Sequence, residues 1–311
     1  MQENIAVIVP AKAMPQKLKE CIGSILNLGY PGLEVIVVDD GLQKEALGVL
    51  DNFKGRVKVL KSDSYGPSAA RNLAAKYTAK DYIAFTDSDC IVDRGWLEEL
   101  TRGFREYPQA AACGGIQKLP EDSTGFEKKV FLFMRKAGLI TDYIRKEKHS
   151  RIYEVNHNPS CNAMYRREVY LKEGGFLEGL WPGEDVEFDY RLKKKGYKLF
   201  FNPDAVVYHY KPKTWNSFLR MMYRYGFAQG ALVTRYGMFR RIHYFPILSL
   251  MFLFLFLLLM FVGKAFALWF IFGVLFLSWF YFLNYFSFIL FVSGSLSWNL
   301  GFMAGFIKRN I

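Results

Sequence analysis

From Pro246 to Ile307 the chain runs for 62 residues with a single charge, Lys264. Phe, Leu, Ile, Val, Met and Trp dominate this stretch. At about 1.5 Å per helical residue, Pro246–Val262 alone approaches the thickness of a hydrocarbon core of about 30 Å. The run from Ala265 to Val292 exceeds one span and carries Asn284 in its interior. A helix apolar on every side needs either a large protein core or lipid around it. A chain of 311 residues has no core large enough for so long a run. The tail, 246–311, is therefore expected to cross a membrane with two or three helices.

Charge placement supports this reading. The chain carries a net +12, yet residues 1–204 are nearly neutral, with 31 Lys and Arg against 29 Asp and Glu. Asp204 is the last acid, and ten basic residues follow it. A near-neutral body with a basic, apolar tail suits an anionic membrane surface and argues against a nucleic-acid partner. From Pro212 to Arg241, aromatic residues such as Trp215, Phe218, Tyr225 and Phe227 mix with Arg220, Arg224, Arg235, Arg240 and Arg241. Residues 212–245 are expected to form amphipathic helices at the lipid interface. A second basic stretch, Gly125 to Arg151, sets Phe126, Val130 and Phe133 among Lys128, Lys129, Arg135, Lys136, Arg145, Lys146 and Lys148. It is read as a helix that either covers the sheet or touches lipid.

Residues 1–211 read differently. Ile5–Val9, Leu33–Val38, Val57–Leu60 and Tyr82–Thr86 are short apolar runs rich in strand formers. Helical patterns separate them at Gln16–Leu28, Lys44–Phe53 and Ala69–Tyr77, the last with Ser68 as its expected cap. This rhythm predicts a doubly wound, mostly parallel α/β sheet with right-handed crossovers. Met1-Gln2-Glu3-Asn4 leads straight into the first strand without a secretory pattern, so the domain is expected to be cytoplasmic. Cys21, Cys90, Cys113 and Cys161 show no paired spacing and read as reduced thiols, not as a zinc site.

Acids gather where strands end. Asp39-Asp40-Gly41 closes the second strand, and Asp87-Ser88-Asp89 closes the fourth. Open α/β sheets bind ligands at that edge. Two carboxylates on alternate positions cannot both be buried unpaired, but they can share a divalent cation that holds a diphosphate. A third acidic site, Gly183-Glu184-Asp185-Val186-Glu187-Phe188-Asp189, opens a helix expected over Val186–Lys195. Acids are stable at a helix start, yet this cluster exceeds what a cap needs. There is no G-x-G-x-x-G and no Walker lysine loop, which excludes the usual dehydrogenase and P-loop signatures.

V-I-V-P-A, V-I-V-V-D-D-G, G-P-S-A-A-R-N, F-T-D-S-D, N-P-S-C-N-A-M-Y-R-R and G-E-D-V-E-F-D-Y-R-L occur in that order. Together they resemble the inverting nucleotide-sugar glycosyltransferases of family 2, with the GT-A fold, over roughly residues 3–230. The resemblance implies that Pro10 and Ala11 lie beside the nucleotide, that Asp40 bonds its base with Asp39 nearby, and that Arg71 helps hold it. Asp87, Ser88 and Asp89 become the D-x-D motif, with Asp89 the direct ligand of Mg²⁺ or Mn²⁺. Asp185, paired with Glu184, becomes the catalytic base. His209 is then a further metal or phosphate ligand; otherwise it is a hydrogen-bonded histidine at a strand end.

Three positions depart from the family pattern. Cys90 stands where a third acid often follows D-x-D, and Leu42 stands where a serine is usual. The Q-x-x-R-W signature of processive synthases survives only as Met221-Met222-Tyr223-Arg224-Tyr225. The expected partners are a nucleotide sugar, UDP-linked, and a lipid-linked or membrane-proximal acceptor, with oligomeric state left open. The competing readings are a small processive synthase, an inactive transferase-like membrane scaffold and a basic nucleic-acid binder.

Overall fold

The computed structural model describes residues 3–12, 14–63, 66–137, 151–282 and 285–308. Arg145, Lys146, Lys148, Asn284 and Arg309 fall outside them, as does the basic stretch beyond Ala137. The chain divides into two compact units. The first holds the sheet, and the second takes the helix after Ser123 and everything from Lys211 onward.

In the first unit, strands β1 (Ile5–Ala11), β2 (Glu34–Asp39), β3 (Lys58–Lys61) and β4 (Tyr82–Phe85) alternate with helices α1 (Pro15–Leu26), α2 (Lys44–Asp51) and α3 (Pro67–Tyr77). These four strands pair in parallel, in the order β3-β2-β1-β4. All seven residues of β1 are buried, as a central strand covered on both faces requires. Val7, Leu18, Ile22, Val37 and Trp96 pack in the same core.

Beyond Phe85 the sheet becomes mixed, so only in its N-terminal half are all the pairings parallel. The next elements are β5 (Cys90–Val92), α4 (Trp96–Glu106), β6 (Ala110–Lys118), α5 (Gly125–Ala137), β7 (Tyr153–Val155), β8 (Ala163–Arg166), α6 (Arg167–Lys172), α7 (Glu184–Lys194) and β9 (Lys198–His209). β8 runs antiparallel between β4 and β6, while β9 is parallel to β6 and antiparallel to β5 and β7. No local pattern announces these pairings, because the partners are far apart in sequence.

Helix α3 begins earlier than expected. Gly66, at φ 106°, caps it, and Pro67 fills its first turn. Ser68 is not the cap; it lies inside the helix and donates its hydroxyl to Leu180 O at 2.9 Å.

The second unit contains α5, α8 (Trp215–Tyr236), α9 (Phe245–Val262), α10 (Lys264–Phe282) and α11 (Tyr285–Ile307). Two helical segments, Arg241–Phe261 and Tyr285–Ile307, are long and apolar enough to cross a membrane, and Leu268–Leu277 is a shorter apolar helix. Only 6% of the most apolar 18-residue stretch of Arg241–Phe261 is buried, unlike a core helix of a soluble protein. Phe254 and Phe261 stand exposed on it.

Helix α8 packs along α11 through glycines. Gly226 and Gly230 face Trp298 and Phe302, while Gly301 and Gly305 face Tyr223 and Phe227. Each helix thus carries a G-x-x-x-G pair, which lets two backbones approach closely. A β-carbon at Gly226 would lie 1.9 Å from the Trp298 carbonyl oxygen, which cannot move aside without moving its helix. Gly226→Val is therefore expected to destabilise this unit by about 1–3 kcal/mol or more. Gly273→Ala on α10, where nothing lies within 4 Å, should be tolerated. Thermal unfolding in detergent compares the two; equal melting points would refute the close packing.

Candidate active site

Because β1 lies between β2 and β4, the ends of these strands share one edge of the sheet. Ala11 pairs with Asp39, and Ile8 pairs with Phe85 just before the Asp87 turn. Asp39 Oδ1 accepts the N–H groups of Gly41 (2.9 Å) and Leu42 (2.6 Å), closing the turn after β2. Gly41 adopts φ 90°, which favours glycine there. Asp40 is buried and accepts Gly66 N–H at 2.8 Å, tying β2 to the start of α3. Its own N–H donates to Ala11 O at 2.9 Å, so Ala11, Asp39 and Asp40 are held side by side at the ends of β1 and β2, one residue beyond Pro10.

The central element is Arg71 on α3. Its side chain is only 2% exposed. Nη2 meets Asp87 Oδ1 at 2.5 Å, and Nη1 meets Glu184 Oε1 at 2.9 Å. One planar guanidinium thus joins the D-x-D turn to the acidic helix start, a task suited to its forked donors. Both terminal nitrogens hold protein acids, so Arg71 here positions carboxylates. The Phe176 ring lies 5.8 Å from it. Phe176 packs with Phe85, Tyr165, Tyr170 and Phe188 into an aromatic floor. Asn72, one residue on, fastens α3 to this floor through Phe176 O (2.8 Å), Phe176 N–H (3.0 Å) and the Tyr170 hydroxyl (2.7 Å).

Removing the guanidinium strands two acids in this setting. Arg71→Met is expected to cost about 3–5 kcal/mol, because it leaves the buried Glu184 uncompensated. Arg71→Lys should recover only part of this, since one ammonium cannot reproduce the fork. Melting curves of the two variants check the expectation; an Arg71→Met protein as stable as wild type would contradict it.

The acidic helix α7 sorts its carboxylates by face. Gly183 (φ 105°) turns the chain, and Glu184 and Asp185 enter the first turn, where the helix dipole favours them. Asp185 is partly exposed. Its Oδ2 accepts Ser160 N–H at 2.9 Å and its Oδ1 accepts Val186 N–H at 2.8 Å. Glu184 is buried and also receives the Ser160 hydroxyl at 3.3 Å. Burial pushes the Glu184 carboxyl up to about 7; the Asp185 charge adds to this, and Arg71 opposes it. The remaining acids serve the fold. Glu187 grips Arg191 through two bonds, of 2.7 and 2.9 Å. Asp189 is fully buried and binds His157 Nδ1 (3.0 Å), Asn158 N–H (2.7 Å) and the Tyr165 hydroxyl (2.9 Å). Burial raises the Asp189 carboxyl, while His157 pulls it back.

The antiparallel pairing of β5 with β9 sets Cys90 opposite His209. His209 Nε2 thereby comes to 3.6 Å from Asp89 Oδ1. Single ligand atoms from Asp87, Asp89, Cys90 and His209 all lie within 4.8 Å of one another. Two carboxylates and an imidazole suit Mn²⁺, and the oxygens alone would suit Mg²⁺. Ser88 sits between the two acids in the turn and is partly exposed. No local motif singles out Ser160, Cys161 or Gln117. Ser160 and Cys161 lie in the N-P-S-C-N segment, where Asn162 staples the loop by donating to Ile116 O and Ala205 O, each at 3.0 Å. Gln117 carried no sequence signal.

A family model described as glycosyl transferase family 2 matches residues 6–173. A pre-mycofactocin glycosyltransferase of Mycobacterium tuberculosis is 31% identical over 216 residues, covering 66% of this chain and 42% of the relative. The chain thus spans less than half of that relative's length. A dolichyl N-acetyl-alpha-D-glucosaminyl phosphate 3-beta-D-2,3-diacetamido-2,3-dideoxy-beta-D-glucuronosyltransferase of Methanococcus voltae is 25% identical over 269 residues, covering 82% of this chain and 80% of the relative. Among solved structures, the mannosyltransferase PcManGT from Pyrobaculum calidifontis, in complex with GDP-Man and Mn²⁺, aligns with a TM-score of 0.62. It is 17% identical and covers 99% of this chain and 87% of that one, a likeness of fold.

Proposed function

This chain belongs to glycosyltransferase family 2, and from that premise we propose that it is a membrane-anchored, metal-dependent, inverting glycosyltransferase. It moves a sugar from a nucleoside diphosphate, uridine by family resemblance, to a lipid-linked or membrane-proximal acceptor. The observation that carries the reading is the Asp87–Arg71–Glu184 bridge, which fixes a D-x-D turn and an acidic helix start beside each other.

Asp89, Asp87 and His209 would hold Mn²⁺ or Mg²⁺. Such an ion, when bound, neutralises charge developing on the departing diphosphate. Pro10, Ala11, Asp39 and Asp40 supply the wall for the nucleoside. Asp185 takes the proton from the acceptor hydroxyl as it attacks. Each of its oxygens accepts one N–H and retains a lone pair for that proton. Glu184 and Arg71 are positioning residues that hold the base and the D-x-D turn at a fixed separation. Base and leaving group on opposite faces of the sugar make one displacement, which inverts the anomeric centre.

The acceptor reading draws on the exposed apolar helix Arg241–Phe261 and on the Methanococcus voltae relative, whose name specifies a dolichyl phosphate-linked substrate. The domain reading places the transferase at 1–211 on the cytoplasmic face, an interfacial segment at 212–245 and multi-pass helices at 246–311. A panel of UDP- and GDP-sugars, tested with Mn²⁺ against polyprenyl-phosphate sugars in detergent, tests the proposal. Transfer that needs the metal and gives the inverted anomer is expected. Metal-independent transfer, or retention of configuration, would overturn it.

A further inference from the structure

Cys90 and Cys161 are 71 residues apart, and neither has a cysteine partner nearby in sequence. The fold nevertheless brings both thiols to His209: the sulfurs and one ring nitrogen lie within 4.8 Å of one another. Cys90 arrives through the β5–β9 register, and Cys161 through the short helical turn Ser160–Asn162. All four cysteines are free thiols, and these two are buried.

We propose that Cys90, Cys161 and His209 form a binding site for a thiophilic divalent cation of the Zn²⁺ class, and that filling it withdraws His209 from the D-x-D position. This revises the expectation from spacing alone that the cysteines are not zinc ligands. Two sulfurs and an imidazole form a donor set with the softness Zn²⁺ prefers. With Zn–S bonds of about 2.3 Å, tetrahedral sulfurs sit about 3.8 Å apart, so the thiols need to close by no more than about 1 Å. Each thiol gives up its proton to solvent on coordination.

The two sites compete through one ring. His209 Nδ1 lies 3.8 Å from Cys161 Sγ, while Nε2 lies 3.6 Å from Asp89 Oδ1. A neutral imidazole offers a single lone pair, and the other nitrogen carries the proton. With Nε2 on the D-x-D metal, Nδ1–H points to Gln117 Oε1 at 3.2 Å. With Nδ1 on the thiol-bound cation, Nε2–H points to Asp89 instead. Gln117 Nε2 also donates to Cys161 Sγ at 3.0 Å, so one side chain touches both the ring and the thiol. The sites therefore exclude each other by tautomer, and Cys90 lies within reach of both.

The binding half of the inference stands on geometry; the inhibitory half rests on the proposed function. Co²⁺ titration of the 311-residue chain in detergent separates them. Wild type should show a thiolate-to-cobalt charge-transfer band that one equivalent of Zn²⁺ abolishes. Cys161→Ala and Cys90→Ala should each lose the band and bind Zn²⁺ at least about 10²-fold more weakly. A wild-type protein without the band, or variants that keep it, overturns the site. For the inhibitory half, one equivalent of Zn²⁺ should suppress Mn²⁺-supported donor turnover in wild type. Cys161→Ala, which keeps that turnover without Zn²⁺, should resist. Equal inhibition of both proteins would place Zn²⁺ on the D-x-D carboxylates and refute the competition. A chain with no transfer activity under any donor would defeat the proposed function, yet the cobalt band would still decide the site.

Discussion

Asp185→Asn is expected to lower transfer by at least about 10²-fold while donor binding stays near wild type, because a positioned general base contributes roughly that much. The substitution is nearly isosteric, so the carboxylate's removal is tested with little change in shape. One cost is foreseeable. Asp185 accepts two backbone N–H groups, from Ser160 and Val186, on different oxygens. An amide keeps one acceptor and turns a donor toward the other N–H. That mismatch should lower stability by about 1–3 kcal/mol. Assays therefore belong well below the variant's melting temperature, with donor affinity measured alongside. A loss in kcat with unchanged donor affinity identifies the base. Turnover within a few-fold of wild type would remove Asp185 from the chemistry and turn attention to Glu184. That residue is less suited, since it is buried and already bonded to Arg71 and Ser160.

The parts legible in the sequence were those governed by neighbours in the chain. The β1–β4 rhythm follows from local apolar runs, and Asp87 and Asp89 were placed by the abrupt end of Tyr82–Phe85. The apolar tail needed only its length and its lack of charge. What the sequence hid depends on contacts between distant segments. Ser68 looked like a cap because a hydroxyl precedes Ala69, but its partner is Leu180, 112 residues away. Nothing local reveals that Asp87 and Glu184 both reach the Arg71 guanidinium. Cys90 looked like a lost acid, and Cys161 like an unremarkable thiol, until the register of β5 against β9 set one of them opposite His209. The sequence does carry one signal of a distant contact: Gly226–Gly230 and Gly301–Gly305 are two G-x-x-x-G pairs, and they mark where α8 meets α11.

Asp89→Ala is expected to abolish the divalent-dependent share of nucleoside-diphosphate binding, a loss of at least about 10²-fold, while the fold survives. Partners that only orient a metal ligand already matter 10–100-fold, so loss of a direct ligand should matter at least that much. The two acids of D-x-D are not equivalent. Asp87 Oδ1 is held by Arg71 at 2.5 Å, so its charge is largely answered within the protein. Among the described residues Asp89 pairs with no Lys or Arg; it faces His209 Nε2, at 3.6 Å. Its carboxylate is thus the more available to an ion, and its removal disturbs little else. Asp87→Ala should behave differently, because it releases one arm of Arg71 and loosens Glu184 as well. That variant is expected to lose stability together with binding, whereas Asp89→Ala loses binding alone. Titration calorimetry with UDP and Mn²⁺, repeated with EDTA, reads the first quantity, and thermal unfolding reads the second. Binding by Asp89→Ala that matches wild type and ignores EDTA would show that the diphosphate is held without a metal at this turn. The charge on the leaving group would then have to be met by the protein's own cations.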